Sequence, residues 1–282
     1  ILVRPGRYGD LNEDGALSGA GEETGNSNGT LYINKRVKVI STAGAGATVI
    51  RGVSSIPVVV FLDVTGAQFG ERNAGFRVYG ANSFGIGNIN MTSGKVAGNI
   101  AHGMAVGISL GSLGDLEISH NTVVGTENST GISVSALGAH RVVGNTISNN
   151  QTGLQVGVGP SRVMQNVITD NVYAIAYGGE CIGCATPAGT PLIVRNSLIG
   201  SRIAALWLSP QATYPVAMRQ NNLFSSGFGC AISTSATVAI DARQNFWGTA
   251  AGPGFTAPSS GVCATNAAVK TTPFSTTEIV LN

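Results

Sequence analysis

Between Lys95 and Trp247, apolar residues return at fixed distances from a recurring Asn. Asn99, Asn121, Asn145, Asn166, Asn196, Asn221 and Asn245 follow one another at steps of 22, 24, 21, 30, 25 and 24 residues. Three places before each stands an apolar or small residue: Val96, Ile118, Val142, Val163, Ile193, Met218, Ala242. Two places after comes another: Ala101, Val123, Ile147, Ile168, Leu198, Leu223, Trp247. Nine to eleven residues beyond the first six Asn, a second short strand is led by Ile108, Ile132, Leu154, Ile175, Leu206 and Ile232.

A period in the low twenties that carries short alternating strands and no helical stretch predicts a solenoid. One repeat cannot bury its apolar face alone, whereas stacked repeats can. The longest step absorbs an insertion at a turn, the loop from Gly178 to Pro191. Stacked parallel strands lie about 4.8 Å apart. At that spacing an inward Asn amide donates to the coil on one side and accepts from the coil on the other. The repeated Asn is therefore expected to form an internal ladder; the alternative is that it only marks turns.

Three segments are expected within one domain, 1–282. Residues 1–94 form irregular first coils with strands at Leu31–Ile33, Val37–Ile40, Thr48–Ile50, Val58–Phe61 and Phe76–Val78. Residues 95–247 are the regular coils, and 248–282 a cap or tail. Ile1–Tyr8 reads as a strand ending in a Pro-Gly corner. Asn73 or Asn82 is a candidate extension of the ladder, and Phe246 with Trp247 is placed to plug the last coil.

Composition narrows the partners. Charged residues are 11% of the chain, 40 of its 282 residues are Gly, and the net charge is +2. Nothing global drives nucleic-acid binding. No apolar run reaches the roughly 18 residues of a membrane span. The chain begins at Ile1 with neither Met nor a signal peptide, so an upstream segment, removed or left out, is expected.

Two local patterns suggest chemistry. Asp10-Leu-Asn12-Glu-Asp14-Gly15 puts oxygen ligands at places 1, 3 and 5 of a loop with Gly at 6, as a calcium loop requires. The acid expected at place 12 is displaced to Glu22, with Glu23 beside it, and no flanking helices are indicated. A structural Ca²⁺ held by Asp10, Asn12, Asp14 and Glu22 is expected; the competing reading is a solvated acidic loop built on Asx-turns. The four Cys fit neither a zinc spacing nor a redox dithiol at a helix start. Two disulfides, Cys181–Cys184 and Cys230–Cys263, are expected, and with them an oxidising compartment. Free thiols are the alternative.

The opening Ile-Leu-Val-Arg-Pro-Gly-Arg-Tyr, the Asn-centred repeats and the closing Asn-Phe-Trp-Gly…Gly-Pro with Thr-Pro-Phe give the chain a family likeness over nearly its whole length. It resembles the secreted bacterial right-handed parallel β-helix proteins of the pectate-lyase-like group. The resemblance implies an all-β, single-stranded right-handed parallel β-helix, outside the cell or on its surface. It carries function weakly, since that fold hosts lyases, hydrolases, epimerases, adhesins and fibres. The group's hydrolases use Asn-Thr-Asp, Asp-Asp, Gly-His-Gly and Arg-Ile-Lys. Here Thr169-Asp170 and Ala101-His102-Gly103 stand without an Asp pair or Arg-Ile-Lys.

Strand alternation points the residues four and two before each Asn outward. Five successive coils then carry Arg141, Arg162, Arg195, Arg219 and Arg243 on or beside one outer strand. Planar guanidinium forks suit carboxylate or sulfate. The row is expected to hold an extended acidic polysaccharide or cell-surface glycan, with Trp207, outward in its own strand, able to stack on a sugar face. The competing reading is an ordinary solvated charge ladder. For a lyase or hydrolase, His120, His140, Arg141 and Asp170 are the candidate catalytic residues. A structural or adhesive subunit associating end to end is the third class.

Overall fold

The computed structural model describes residues 1–282 apart from 23–28, 54–55, 81–83, 137, 158–160, 179–189, 211, 213, 226–228, 255–260, 265–266 and 282, and describes residues 136, 225 and 264 by backbone alone. Its regular structure is strand. Consecutive strands enter three sheets in rotation, and each pairs in parallel with its equivalent one coil on. Leu116–Ser119 lies in the first sheet, Thr122–Val124 in the second and Thr130–Ala136 in the third. His140–Val143 then returns beside Leu116–Ser119. Among the described residues the sheets contain 11, 9 and 10 strands. This is the expected parallel β-helix.

The winding has a local cause. The residue before every ladder Asn is left-handed: Gly98, His120, Gly144, Gln165, Arg195, Gln220 and Gln244, with φ from 54° to 69°. One such residue swings the chain out of the first sheet and into the second. For a non-glycine residue this costs about 1–2 kcal/mol, which the Asn that follows offsets. Each Asn is enclosed, at most 1% exposed. Its Nδ2 donates to the Oδ1 of the next Asn at 2.9–3.2 Å, six times from Asn99 to Asn245. Its backbone N–H donates to that same oxygen at 2.8–3.0 Å. Inside the winding, all fourteen residues three before and two after these Asn are buried, none more than 1% exposed.

Register identifies what ends the ladder. Ile100 pairs with Arg77, so Phe76 occupies the ladder place ahead of Asn99 and donates its N–H to the Asn99 Oδ1 at 3.0 Å. Its ring stacks on Phe69 with centroids 4.5 Å apart. At the far end Phe246 bridges Asn222 and Ser275, which puts Phe274 one coil beyond Asn245, packed on the core. Trp247 is fully buried. Asn73 is left-handed in a loop rather than in the ladder, and Asn82 lies outside the described residues. A shorter second ladder holds the corner between the second and third sheets. There Asn150 Nδ2 donates to Asn171 Oδ1 at 3.0 Å, and left-handed Asn149 and Asp170 precede the pair.

Two details differ from expectation or fall beyond it. Ile1–Tyr8 is not one strand: Leu2–Val3 belongs to the first sheet and Gly6–Gly9 to the second, so Arg4-Pro5 is itself the corner. Pro suits that place because it has no N–H to give to a ladder. The Cys230–Cys263 disulfide is formed, tying the last two strands of the third sheet. Cys181 and Cys184 lie outside the described residues, as does most of the loop that carries them.

Candidate functional surface

Along the outside of the first sheet, Lys95, Glu117, Arg141 and Arg162 are successive register partners, followed by Leu192, Ala217, Asp241 and Lys270. Lys95 Nζ lies 2.8 Å from Glu117 Oε1. That hydrogen bond holds the Glu117 carboxyl below its usual range, and Ser119 and Arg141 act in the same direction. Arg141 and Arg162 are exposed and form no ion pair among the described residues. One coil further on, Arg195 projects from its left-handed corner, exposed, over a shallow hollow shared with Gln220 and Gln244.

Arg219 and Arg243 occupy a different outward row, two places nearer the Asn. Both are bound to Asp241: Arg243 donates from Nε and Nη2 at 2.8 Å each, and Arg219 makes a further charged hydrogen bond through Nη2. The Arg243 contact, aided by Arg219, holds the Asp241 carboxyl far below the carboxylate range. Among the described residues, the five arginines therefore divide into three free guanidiniums on three consecutive coils and two committed to a carboxylate. Trp207 takes its expected place, in register with Ala176 and Ser233. It is half-buried, its ring tilted 47° against Tyr173 at 5.7 Å.

The four catalytic candidates are spread over different parts of the winding. His140 is fully enclosed, and burial pushes its pKa down against the opposing effects of Gly138 and Asp115. His120 is exposed at the corner between the first and second sheets, its ring over Gly144. Its pKa is lowered first by burial and then by Arg72 and Lys95. Arg141 is on the face of the first sheet. Asp170 stands at the opposite corner, in an open polar groove of about 540 Å³ with Thr126, Glu127, Asn149, Gly200 and Arg202. Arg202 reaches Glu127 across that groove at 2.9 Å.

One arrangement lies beyond what the repeat offsets reveal. On the outside of the second sheet, Arg51, Tyr79 and His102 are register partners on successive coils. The Arg51 guanidinium lies 5.6 Å from the Tyr79 ring centre, and Tyr79 stacks on His102 at 5.2 Å. Arg7 Nη2 donates to the Tyr79 hydroxyl at 3.4 Å. The signal is present three places after each ladder position, but reading it needs the register of the first coils.

In the loop that follows the second strand, Gly15 N–H donates to Asp10 Oδ2, Asp14 N–H to Asn12 Oδ1 and Ala16 N–H to Asp14 Oδ1. Glu22 accepts from the N–H groups of Asn12, Gly19 and Leu11, which lowers its pKa. Among the described residues, no three His, Cys, Asp or Glu side chains gather as a metal cage. Met91, Met104 and Met218 are buried in the core.

Compared with known families, residues 23–212 match the one described as periplasmic copper-binding protein (NosD). No curated protein and no solved structure matches the chain.

Proposed function

The chain belongs to the NosD family, and on that premise we propose that it works outside the cytoplasm as a rigid β-solenoid that holds an extended acidic polysaccharide on its outer surface. The observation that carries this reading is the run Arg141, Arg162 and Arg195, three guanidiniums on consecutive coils without an ion-pair partner among the described residues. Arg141 and Arg162 are one coil apart, about 5 Å at strand spacing, and Arg195 stands one coil further on at the corner, so that neighbouring uronate or sulfated sugar units can each meet an Arg fork. Arg141 and Arg162 are like charges side by side, and the one carboxylate next to them in register, Glu117, is already paired with Lys95; an anionic ligand would relieve their repulsion.

Copper, which the family's description names, does not fit the described residues. Copper takes imidazole, thiolate and thioether ligands. Here His140 is enclosed, His120 stands at a corner, His102 is stacked on Tyr79, and Cys230 and Cys263 are joined to each other.

Arg162→Glu should reduce retention on an immobilised acidic polysaccharide at low salt by roughly tenfold, from one lost contact and one added repulsion. Arg36→Glu, an equal charge change at an exposed site elsewhere, should leave most of it. Equal loss in both variants would reduce the effect to net charge and remove the proposal.

A further inference from the structure

We propose that the loop from Asp10 to Glu22 binds one calcium ion, independently of the arginine run. The decisive atom is Asp10 Oδ1. Asp10 is 3% exposed, yet this oxygen is buried without a hydrogen-bond partner among the described residues. The other oxygen of the same carboxylate accepts the Gly15 N–H at 3.1 Å, from the sixth place of the loop. A buried, orphaned carboxylate oxygen is costly unless a cation or donor meets it.

The surroundings favour a cation. Among the described residues, Asp14 Oδ2 takes only the Asn12 amide Nδ2, at 3.0 Å. That nitrogen and Glu22 Oε2 both lie within 3 Å of the point where a Cβ on Gly19 would sit. An amide donor thus occupies the space between carboxylates, and only a Gly at 19 leaves that space open. The Asn12 oxygen accepts the Asp14 N–H at 2.9 Å and keeps a second lone pair for an ion. Glu13 is the acid already neutralised, by Arg51 and Arg7. Arg51 Nε is also 3.9 Å from Asp10, but from Oδ2 and not from the orphaned oxygen.

The ion's protein ligands are then Asp10 Oδ1, the Asn12 side chain, Asp14 and the carbonyl of Ala16 at the seventh place, with water completing the shell. Glu22 is a fastener and not a ligand: its carboxylate closes the loop on three backbone N–H groups. This accounts for the absence of a three-acid cage among the described residues. It also revises the sequence expectation, which counts Glu22 among the ligands. Ca²⁺ fits better than Mg²⁺, because two carboxylates, an amide and a backbone carbonyl are more protein ligands than the one or two carboxylates that usually hold Mg²⁺.

The full chain, stripped with a chelator, is titrated with CaCl₂ by calorimetry and by thermal unfolding. One site per chain is expected, with Kd in the roughly 0.1–1 mM range of extracellular modules, together with a rise in Tm. Asp14→Ala, at an exposed position that folding tolerates, should weaken binding at least about tenfold. Asp10→Asn should do the same, and Glu22→Gln should weaken it less than either. No calcium-dependent heat, equal binding by Asp14→Ala, or an equal response to MgCl₂ would overturn the site.

Discussion

Asn166→Ala is the sharpest perturbation of the ladder, because it removes a middle rung and little else. Four hydrogen bonds go with the side chain. Its Oδ1 accepts the Asn145 N–H at 2.9 Å and the Asn145 Nδ2 at 3.0 Å. Its Nδ2 donates to Val142 O and to Asn196 Oδ1, each at 2.9 Å. At about 1 kcal/mol net for each bond the loss is about 4 kcal/mol. The Asn145 N–H is left buried without an acceptor, at about 1–3 kcal/mol. These figures overlap, so a cost of roughly 4–6 kcal/mol is expected, a large part of the 5–15 kcal/mol that holds a typical domain folded. At about 2–4 °C per kcal/mol, Tm should fall by roughly 8–24 °C. Calorimetry and guanidinium unfolding followed by circular dichroism measure both quantities. Thr146→Ala, exposed on the neighbouring coil, is the control and should stay within about 0.5 kcal/mol of wild type. If Asn166→Ala costs no more than Thr146→Ala, the ladder contributes nothing and the reasoning is wrong.

Two further outcomes follow from the core and the termini. Replacing Cys230 and Cys263 together by Ala reopens a loop with a sequence separation of 33, so stability should fall by about 3–4 kcal/mol in chemical unfolding. His140 has a folded-state pKa depressed mainly by burial. Its contribution to stability is therefore complete above the unfolded value near 6.5 and is lost as pH falls below it, at up to about 1.4 kcal/mol per pH unit. The difference in unfolding free energy between wild type and His140→Leu should shift in that direction between pH 7 and 5; a difference independent of pH would count against a buried, neutral His140.

The regular coils were legible because two signals coincide there. The Asn must face inward to find partners, and the apolar residues keep fixed offsets from it, so Val142, Ile147 and Leu154 declared their burial together. The same offsets placed Trp207 correctly. They stop at the corner. Alternation assumes extended backbone, and Arg195, one place before its Asn, is left-handed and stands beside the outer strand. Arg219 and Arg243 were outward as expected, yet Asp241, which binds both, is a neighbour only after folding. The first coils hid their register because Thr48 and Phe76 stand where later coils have Asn. Without that register the Arg51, Tyr79 and His102 column is three unrelated residues. The short Asn150–Asn171 ladder was masked by its mere two rungs.

The central claim is that stacked Asn fix the register and so put Arg141 beside Arg162. Replacing both by Cys, then oxidising and mapping peptides by mass spectrometry, tests it directly. Register partners on neighbouring strands have Cα atoms about 5 Å apart, within disulfide reach, whereas Arg141 and Met164 stand about 8 Å apart, beyond it. A disulfide between positions 141 and 162 should form readily, and one between positions 141 and 164, in the matching double variant, should not; the reverse pattern would contradict the winding described here.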